Sequence, residues 1–245
     1  MIPERFARME LMVGADGLRR LGEALVVVVG LGAVGSYCVE ALARAGVGRL
    51  RLIDHDTVHA SNLNRQLYAL ESTLGASKAT LARDRVLAIH SDCQVEALAE
   101  YADADSLDRL LAGSPDLICD CIDSFDAKVA LLAEARRRGL PLVSSMGAAL
   151  RTDPTQVRVG PLGSATQCPL AKRLRRALRE RDVPLDIPCV YSIEKVEPRL
   201  GVQGAEQDAP EPRGKDRRPM GSLPTVTGVF GLTVANTGLG LLLGG

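Results

Sequence analysis

The sequence predicts an α/β protein: a Rossmann-like, doubly wound, mostly parallel sheet with a C-terminal extension and a mobile loop. Three observations carry that expectation. Residues 25–30, LVVVVG, form an unbroken apolar run, as a central parallel strand needs when helices cover both its faces. Gly30, Gly32 and Gly35 follow at dinucleotide-fingerprint spacing, and Asp54 closes the next apolar stretch. Short apolar runs then alternate with helical patterns as far as residue 145.

Taken in order, residues 5–24 read as a short, charged amphipathic helix and residues 25–30 as the first strand. Residues 33–45 read as a helix stopped by Gly46, and RLRLID (49–54) as a second strand. STLGASKATLARDRVLAI (72–89) reads as a helix, DLICDCID (116–123) as a strand ending in acids, 126–138 as a helix and PLVSS (141–145) as a strand. After Gly147 the pattern changes. DPTQVRVG suggests a strand in another context, and KRLRRALRER (172–181) a basic helix. Residues 199–222 are rich in Pro, Gly and charge, the composition of a mobile loop. The expected organisation is an N-terminal helical segment (1–24), a nucleotide-binding core (25–160) and a C-terminal part (161–245) holding the basic helix, the loop and an apolar segment.

Composition narrows the function. Thirty basic and thirty acidic residues balance, which argues against a general polyanion binder while leaving room for a local basic patch. Aromatics are 3% with no Trp, too few for gripping single strands by base stacking. Cysteines at 38, 93, 119, 121, 168 and 189 form no C-x-x-C pair, so a four-thiolate zinc site has no support. The start, MIPERFARME, carries early charges and no apolar signal region, so a cytoplasmic protein is expected. Residues 219–245 hold no charge. We expect a core or dimer-interface helix there, with weak, peripheral membrane association as the lesser alternative.

The glycines assign a nucleotide site. Gly30 permits the strand-to-helix turn, Gly32 lets phosphate approach the backbone, and Gly35 lets the helix pack close. The helix N-terminus then offers amides and a positive dipole end to phosphate. Asp54 stands where a carboxylate accepts from ribose hydroxyls. NAD and ATP both satisfy this much. The next stretch, DHDTVHASNLNRQLYALESTLGASKA, discriminates. It places Asp56, Asn62, Asn64, Arg65, Gln66 and Lys78 after the ribose acid. A hydride-transfer site needs no such cluster. Cleavage of ATP between its α- and β-phosphates does, because charge builds on the α-phosphate and on departing pyrophosphate. Arg65 offers a planar fork and Lys78 a point charge. The bland alternative is a solvated polar loop and a surface lysine.

GLGAVG, LIDHDTVHASNLNRQ, GASKA and DCIDS together resemble the E1-like (ThiF/MoeB-type) adenylating enzymes, which activate carboxylates as acyl-adenylates. The resemblance implies ATP and Mg²⁺ as cofactors, Asp54 on the ribose, Asn62, Arg65 and Lys78 on the phosphates, and Asp123 holding Mg²⁺ with the triphosphate. Asp123 also follows from position, since an acid beyond a central strand's carboxyl end faces the ligand crevice. Asp120, in the same run, is expected to be buried and structural. The resemblance further implies a homodimer in which an N-terminal arginine reaches the partner's ATP. Arg8 is the candidate and Arg5 the second choice.

RTDPTQVRV, IPCVYSIEKV and GSLPTVTGVFG resemble one branch of that family, the threonylcarbamoyladenosine dehydratases, which act on tRNA. That branch implies ATP-dependent cyclisation of the modified adenosine beside the anticodon, giving cyclic t6A with net loss of water. Cys189 matches a cysteine of the branch and is a candidate nucleophile toward the acyl-adenylate, set against an ordinary semi-buried cysteine. The basic helix suits RNA phosphates or is simply a solvated face. Tyr191 and Phe125 are candidate stacking partners for a base. The resemblance also suggests a sulfur-acceptor protein of a cysteine desulfurase system as partner. The rival reading is an adenylyltransferase for the C-terminal glycine of a ubiquitin-like sulfur carrier.

Overall fold

A computed structural model describes residues 3–195 and 220–244. Seven strands form one sheet in the order β3-β2-β1-β4-β5-β7-β6. They are β1 (Leu25–Val29), β2 (Arg49–Ile53), β3 (Gln94–Leu98), β4 (Leu117–Asp120), β5 (Leu142–Ser145), β6 (Val157–Pro161) and β7 (Pro188–Ser192). All neighbours pair in parallel except β6, which runs antiparallel to β7 at the edge. The helices are α1 (Ala7–Glu23), α2 (Gly35–Ala45), α3 (Lys78–Ile89), α4 (Leu107–Leu110), α5 (Phe125–Arg137), α6 (Pro169–Arg179) and α7 (Pro224–Leu243).

The valine run of β1 is explained by its two buried faces. Val26 and Val28 face one core with α2, α3 and α7, while Val27 and Val29 face a second core with α4, α5 and α6. A strand covered on both sides has no polar face to alternate. The register sets the strand ends level, with Val29 opposite both Ile53 and Asp120. Gly30 N–H donates to Ile53 O at 2.9 Å and Cys121 N–H to Val29 O at 2.8 Å. The segments leaving β1, β2 and β4 are thereby brought side by side at the carboxyl edge of the sheet.

Four elements differ from expectation. Gly14, at φ 72° and ψ 170°, breaks the N-terminal helix. The 72–89 helix begins only at Lys78. Glu71–Thr73 is a separate turn, Gly75 takes φ 81°, and Ser77 caps α3 by accepting from Thr80 N–H. Strands β3 and β7 are additions to the expected set. β7 comes from the C-terminal part of the chain yet lies between β5 and β6, so the core sheet extends past residue 160. Of the expected mobile loop, residues 199–219 lie outside the described residues.

The charge-free segment forms α7, a core helix packed across α2, β4 and β5. Its glycines make the approach close. A Cβ on Gly231 would overlap the Val34 carbonyl, and one on Gly238 would lie 2.6 Å from Leu117 Cδ2. This helix is long and apolar enough to cross a membrane by length and composition, with 44% of its apolar window buried.

Candidate nucleotide and adenylation site

The glycine turn is shaped by contact. Gly30 takes φ 88°, and a Cβ there would sit 2.7 Å from Cys121 O. A Cβ on Gly35 would overlap Gly30 O, so only glycine lets α2 start this close to β1. Around Gly32 the space is open, its nearest neighbour being Gln66 Nε2 at 3.6 Å from an added Cβ. Phosphate can therefore reach the Gly32 backbone beside the N-terminus of α2, whose positive dipole end favours an anion. Gln66, a candidate nucleotide-binding residue from the sequence, stands at this opening.

Asp54 leaves β2 beside that turn. Its Oδ2 accepts from Leu31 N–H at 2.7 Å and its Oδ1 from Asp56 N–H at 2.9 Å. These bonds tie the acid to the glycine turn and fix its direction. Burial pushes the Asp54 carboxyl up, against the pull of Lys78 and of the two amides.

Asp56 and Lys78 form an ion pair. Lys78 is only 5% exposed, so the surface-lysine alternative does not hold. Its own amide donates to Asp56 O at 3.1 Å, tying the start of α3 to the end of β2. Burial alone would raise the Asp56 carboxyl. The bond to Lys78 and the Thr57 amide outweigh it and hold the group below its ordinary value. Asn62 is buried and its Oδ1 accepts from His59 N–H at 3.2 Å. Its carbonyl accepts from Arg65 N–H and Gln66 N–H at 3.1 and 3.0 Å. Asn62 thus fixes the turn that presents Arg65. The Arg65 guanidinium donates to Ser61 O at 2.7 Å and to Asn64 Oδ1 at 2.8 Å.

Asp123 is exposed on the segment between β4 and α5. Asp120, three residues earlier, is fully buried. Its Oδ2 accepts from Lys128 Nζ and Ser144 Oγ, both at 2.6 Å, and its Oδ1 from Ile122 N–H at 3.1 Å. Lys128 was missed in the sequence. Its signal was a single cation inside the apolar run of α5, among Ala127, Val129, Leu131 and Leu132, all buried. His55 meets Tyr101 edge to face at 4.9 Å, and Tyr101 Oη lies 3.0 Å from Ser124 Oγ, closing the carboxyl edge next to Asp123.

The remaining candidates stand apart. Cys189 lies within β7, fully buried, and burial pushes its thiol up to about 12. A thiolate is the nucleophilic form, so this placement argues against the candidate nucleophile and fits the alternative of an ordinary buried cysteine. Arg8 is exposed on α1. Arg5 is held by its own chain, at 3.3 Å to Ser91 Oγ and 3.6 Å to Asp92. A cleft of about 320 Å³ lined by Arg5, Arg44 and Arg85 lies where α2 and α3 end, away from the glycine turn. Its arginines are committed to Glu40 and Asp92.

The glycine turn, Asp54 bonded to it, and the buried Lys78 paired with Asp56 are thus gathered at the carboxyl edge of the sheet. The chain is 35% identical over 241 residues to the tRNA threonylcarbamoyladenosine dehydratase of Bacillus subtilis, covering 98% of this chain and 92% of that one. It superimposes on the Escherichia coli tRNA N6-threonylcarbamoyladenosine dehydratase in complex with ATP with a TM-score of 0.87 and 31% identity, covering 98% and 94% of the two chains. The molybdopterin-synthase adenylyltransferase of Salmonella typhimurium is 37% identical over 151 residues, 61% of this chain and 59% of that one. The ThiF profile matches residues 5–245, and the chain belongs to the ThiF family.

Proposed function

We propose that this protein dehydrates N6-threonylcarbamoyladenosine in tRNA to its cyclic form, using ATP and passing through an acyl-adenylate. The observation that carries the reading is the buried Lys78, ion-paired to Asp56, whose amide donates to the same Asp54 that accepts from Leu31 N–H in the glycine turn. It stands in a chain that matches a dehydratase along 98% of its length but a carrier-type adenylyltransferase along only 61%.

In this reading the threonyl carboxylate attacks the α-phosphorus of ATP and pyrophosphate departs. Lys78 and Arg65 stabilise the charge that develops on the phosphates, and the α2 amides hold the α-phosphate. Asp54 and Gln66 orient the nucleotide. The ureido group of the same modified base then attacks the activated carbonyl and AMP leaves, closing the ring. That attack is intramolecular, so proximity supplies what an enzyme nucleophile would otherwise provide. Cys189 has no part in it. Among the described residues no group of three or more potential metal ligands occurs. Mg²⁺ is ordinarily held by one or two carboxylates together with substrate phosphates, so the exposed Asp123 fits as a protein ligand. Bound there, the ion would neutralise charge on the leaving pyrophosphate.

The enzyme works as a homodimer in the cytoplasm, with Arg8 reaching the partner's nucleotide; its exposed place on α1 suits that reach. The test incubates the protein with ATP, Mg²⁺ and threonylcarbamoyl-modified tRNA and examines nucleosides by mass spectrometry. A product lighter by one water, formed with AMP, is expected. Unchanged tRNA with pyrophosphate exchange dependent on a carrier protein would overturn the reading in favour of the sulfur-carrier rival.

A further inference from the structure

The basic helix α6 has one face in the core and another without a role in the site above. Ala171, Leu174 and Leu178 are fully buried beside α5. Lys172, Arg173, Arg176 and Arg179 point outward and are exposed. Lys172, Arg176 and Arg179, at i, i+4 and i+7, form one stripe about 10 Å long. Arg175 turns the other way, donating to Ala165 O at 2.5 Å and Leu162 O at 3.3 Å, and so is structural.

This face is costly if it has only water to meet. Like charges at i, i+4 oppose each other, and a cation in the first turn opposes the helix dipole. The first turn of α6 contains Lys172 and no acid. The last-turn arginines do suit the dipole. Among the described residues, Arg176 is the one α6 cation paired with an acid, Glu180, at 3.0 Å. An anionic partner would relieve the rest.

Position indicates the partner. The Arg173 guanidinium stacks over the Phe125 ring at 4.1 Å. Phe125 begins α5, two residues after Asp123. The stripe therefore continues onto the segment that carries the proposed Mg²⁺ acid. A polyanion lying along α6 has its end at the adenylation site. The outward cations are mostly arginines, whose planar forks match phosphate oxygens in pairs.

We propose that the outward face of α6 is the docking surface for the phosphate backbone of the substrate RNA, and that Arg173 on Phe125 forms a flat platform beside the reacting nucleotide. This rests on the tRNA reading above. It asks for phosphate contacts from Lys172, Arg176 and Arg179, and for stacking by Arg173.

The experiment compares the full-length protein with a Lys172→Gln/Arg176→Gln/Arg179→Gln variant, all three positions exposed. Binding of modified tRNA is followed by fluorescence anisotropy over a series of salt concentrations, with ATP binding measured alongside. Each lost phosphate contact lowers the log–log salt slope by about 0.7 for single-stranded RNA, so the triple variant should lose about 2 in slope. Its KM for tRNA should rise while ATP affinity and kcat at saturating tRNA stay near wild type. Arg173→Ala should lower kcat as well, with Arg173→Lys restoring affinity but not kcat. If wild type converts the tRNA and the triple variant matches it in affinity and slope, the surface assignment is wrong. If wild type converts no tRNA, the reaction itself is wrong. If the variant keeps tRNA binding but loses binding to anionic phospholipid vesicles, the face belongs to a membrane and the proposal falls.

Discussion

Replacing Lys128 by Met tests whether the buried ion pair behind the site holds the fold. The Lys128 and Asp120 side chains are both fully buried and 2.6 Å apart. Methionine keeps the apolar stem of Lys128 but leaves the Asp120 carboxylate with only two neutral donors, Ser144 Oγ at 2.6 Å and Ile122 N–H at 3.1 Å. Removing one partner of a buried pair costs about 3–5 kcal/mol. The two surviving donors place this case at the lower end, about 3 kcal/mol. For a chain of this size that lowers Tm by about 6–12 °C, at about 2–4 °C per kcal/mol. Urea unfolding followed by circular dichroism reads it as a lower midpoint with unchanged slope. The double variant Asp120→Asn/Lys128→Met removes both charges and should lose less than the single one. A single variant within about 1 kcal/mol of wild type, below what an uncompensated buried charge demands, would refute the reasoning.

Lys78→Ala should remove turnover by about a hundredfold to a thousandfold, the scale of a lost charge-stabilising donor, while far-ultraviolet circular dichroism stays native; retained turnover would disprove the phosphate assignment. Cys189→Ala should cyclise its substrate nearly as fast as wild type, since burial keeps that thiol protonated at neutral pH; a fall of about a hundredfold or more, the size expected for a participating group, would return it to the chemistry. Asp56 gives a pH test. Its carboxyl is depressed in the fold, chiefly by Lys78 acting against burial, so its contribution is present above the unfolded value of about 3.9 and vanishes as pH falls through the folded one. The stability gap between wild type and Asp56→Asn should therefore be flat at neutral pH and close under acid; a gap that widens on acidification would be the wrong sign.

What could be read in the sequence was whatever a single residue type forces. Gly35 is required by the carbonyl of Gly30, and Gly30 by its positive φ, and both demands leave glycine as the visible mark. The unbroken valines of β1 report two buried faces. Other features depended on partners distant in the chain. β3, QVEAL, is an edge strand with no fully buried residue, so neither an apolar run nor clean alternation announced it. β7 opens on a proline and is fixed by pairing with β5 and β6. The start of α3 was legible after all in Gly75 and the capping Ser77, but the helical period of the residues around them masked it. The burial of Asp120 could be expected from its strand; for its partner Lys128 the lone cation in the apolar run of α5 was the one local hint, and the pairing with Asp120 depends on the fold.

The apolar C-terminal helix bears on how the nucleotide site stays assembled. By composition α7 would suit a bilayer, but its small residues are spent on α2. Gly228 faces the Tyr37 ring at 3.4 Å from an added Cβ, and Gly231 abuts the Val34 carbonyl at the N-cap of α2. The end of α2 proposed to hold phosphate is thus braced from behind by α7, and Val226, Phe230 and Val234 seal the same core. Drawing α7 into lipid would uncover that core and release the glycine turn, so insertion and ATP binding exclude one another. A membrane contact compatible with catalysis has to use the outward residues instead. Leu232 and Leu241 are 48% and 40% exposed but, nine residues apart, lie on opposite sides of the helix. Two leucines bury far too little hydrocarbon for stable anchoring, which takes two independent signals.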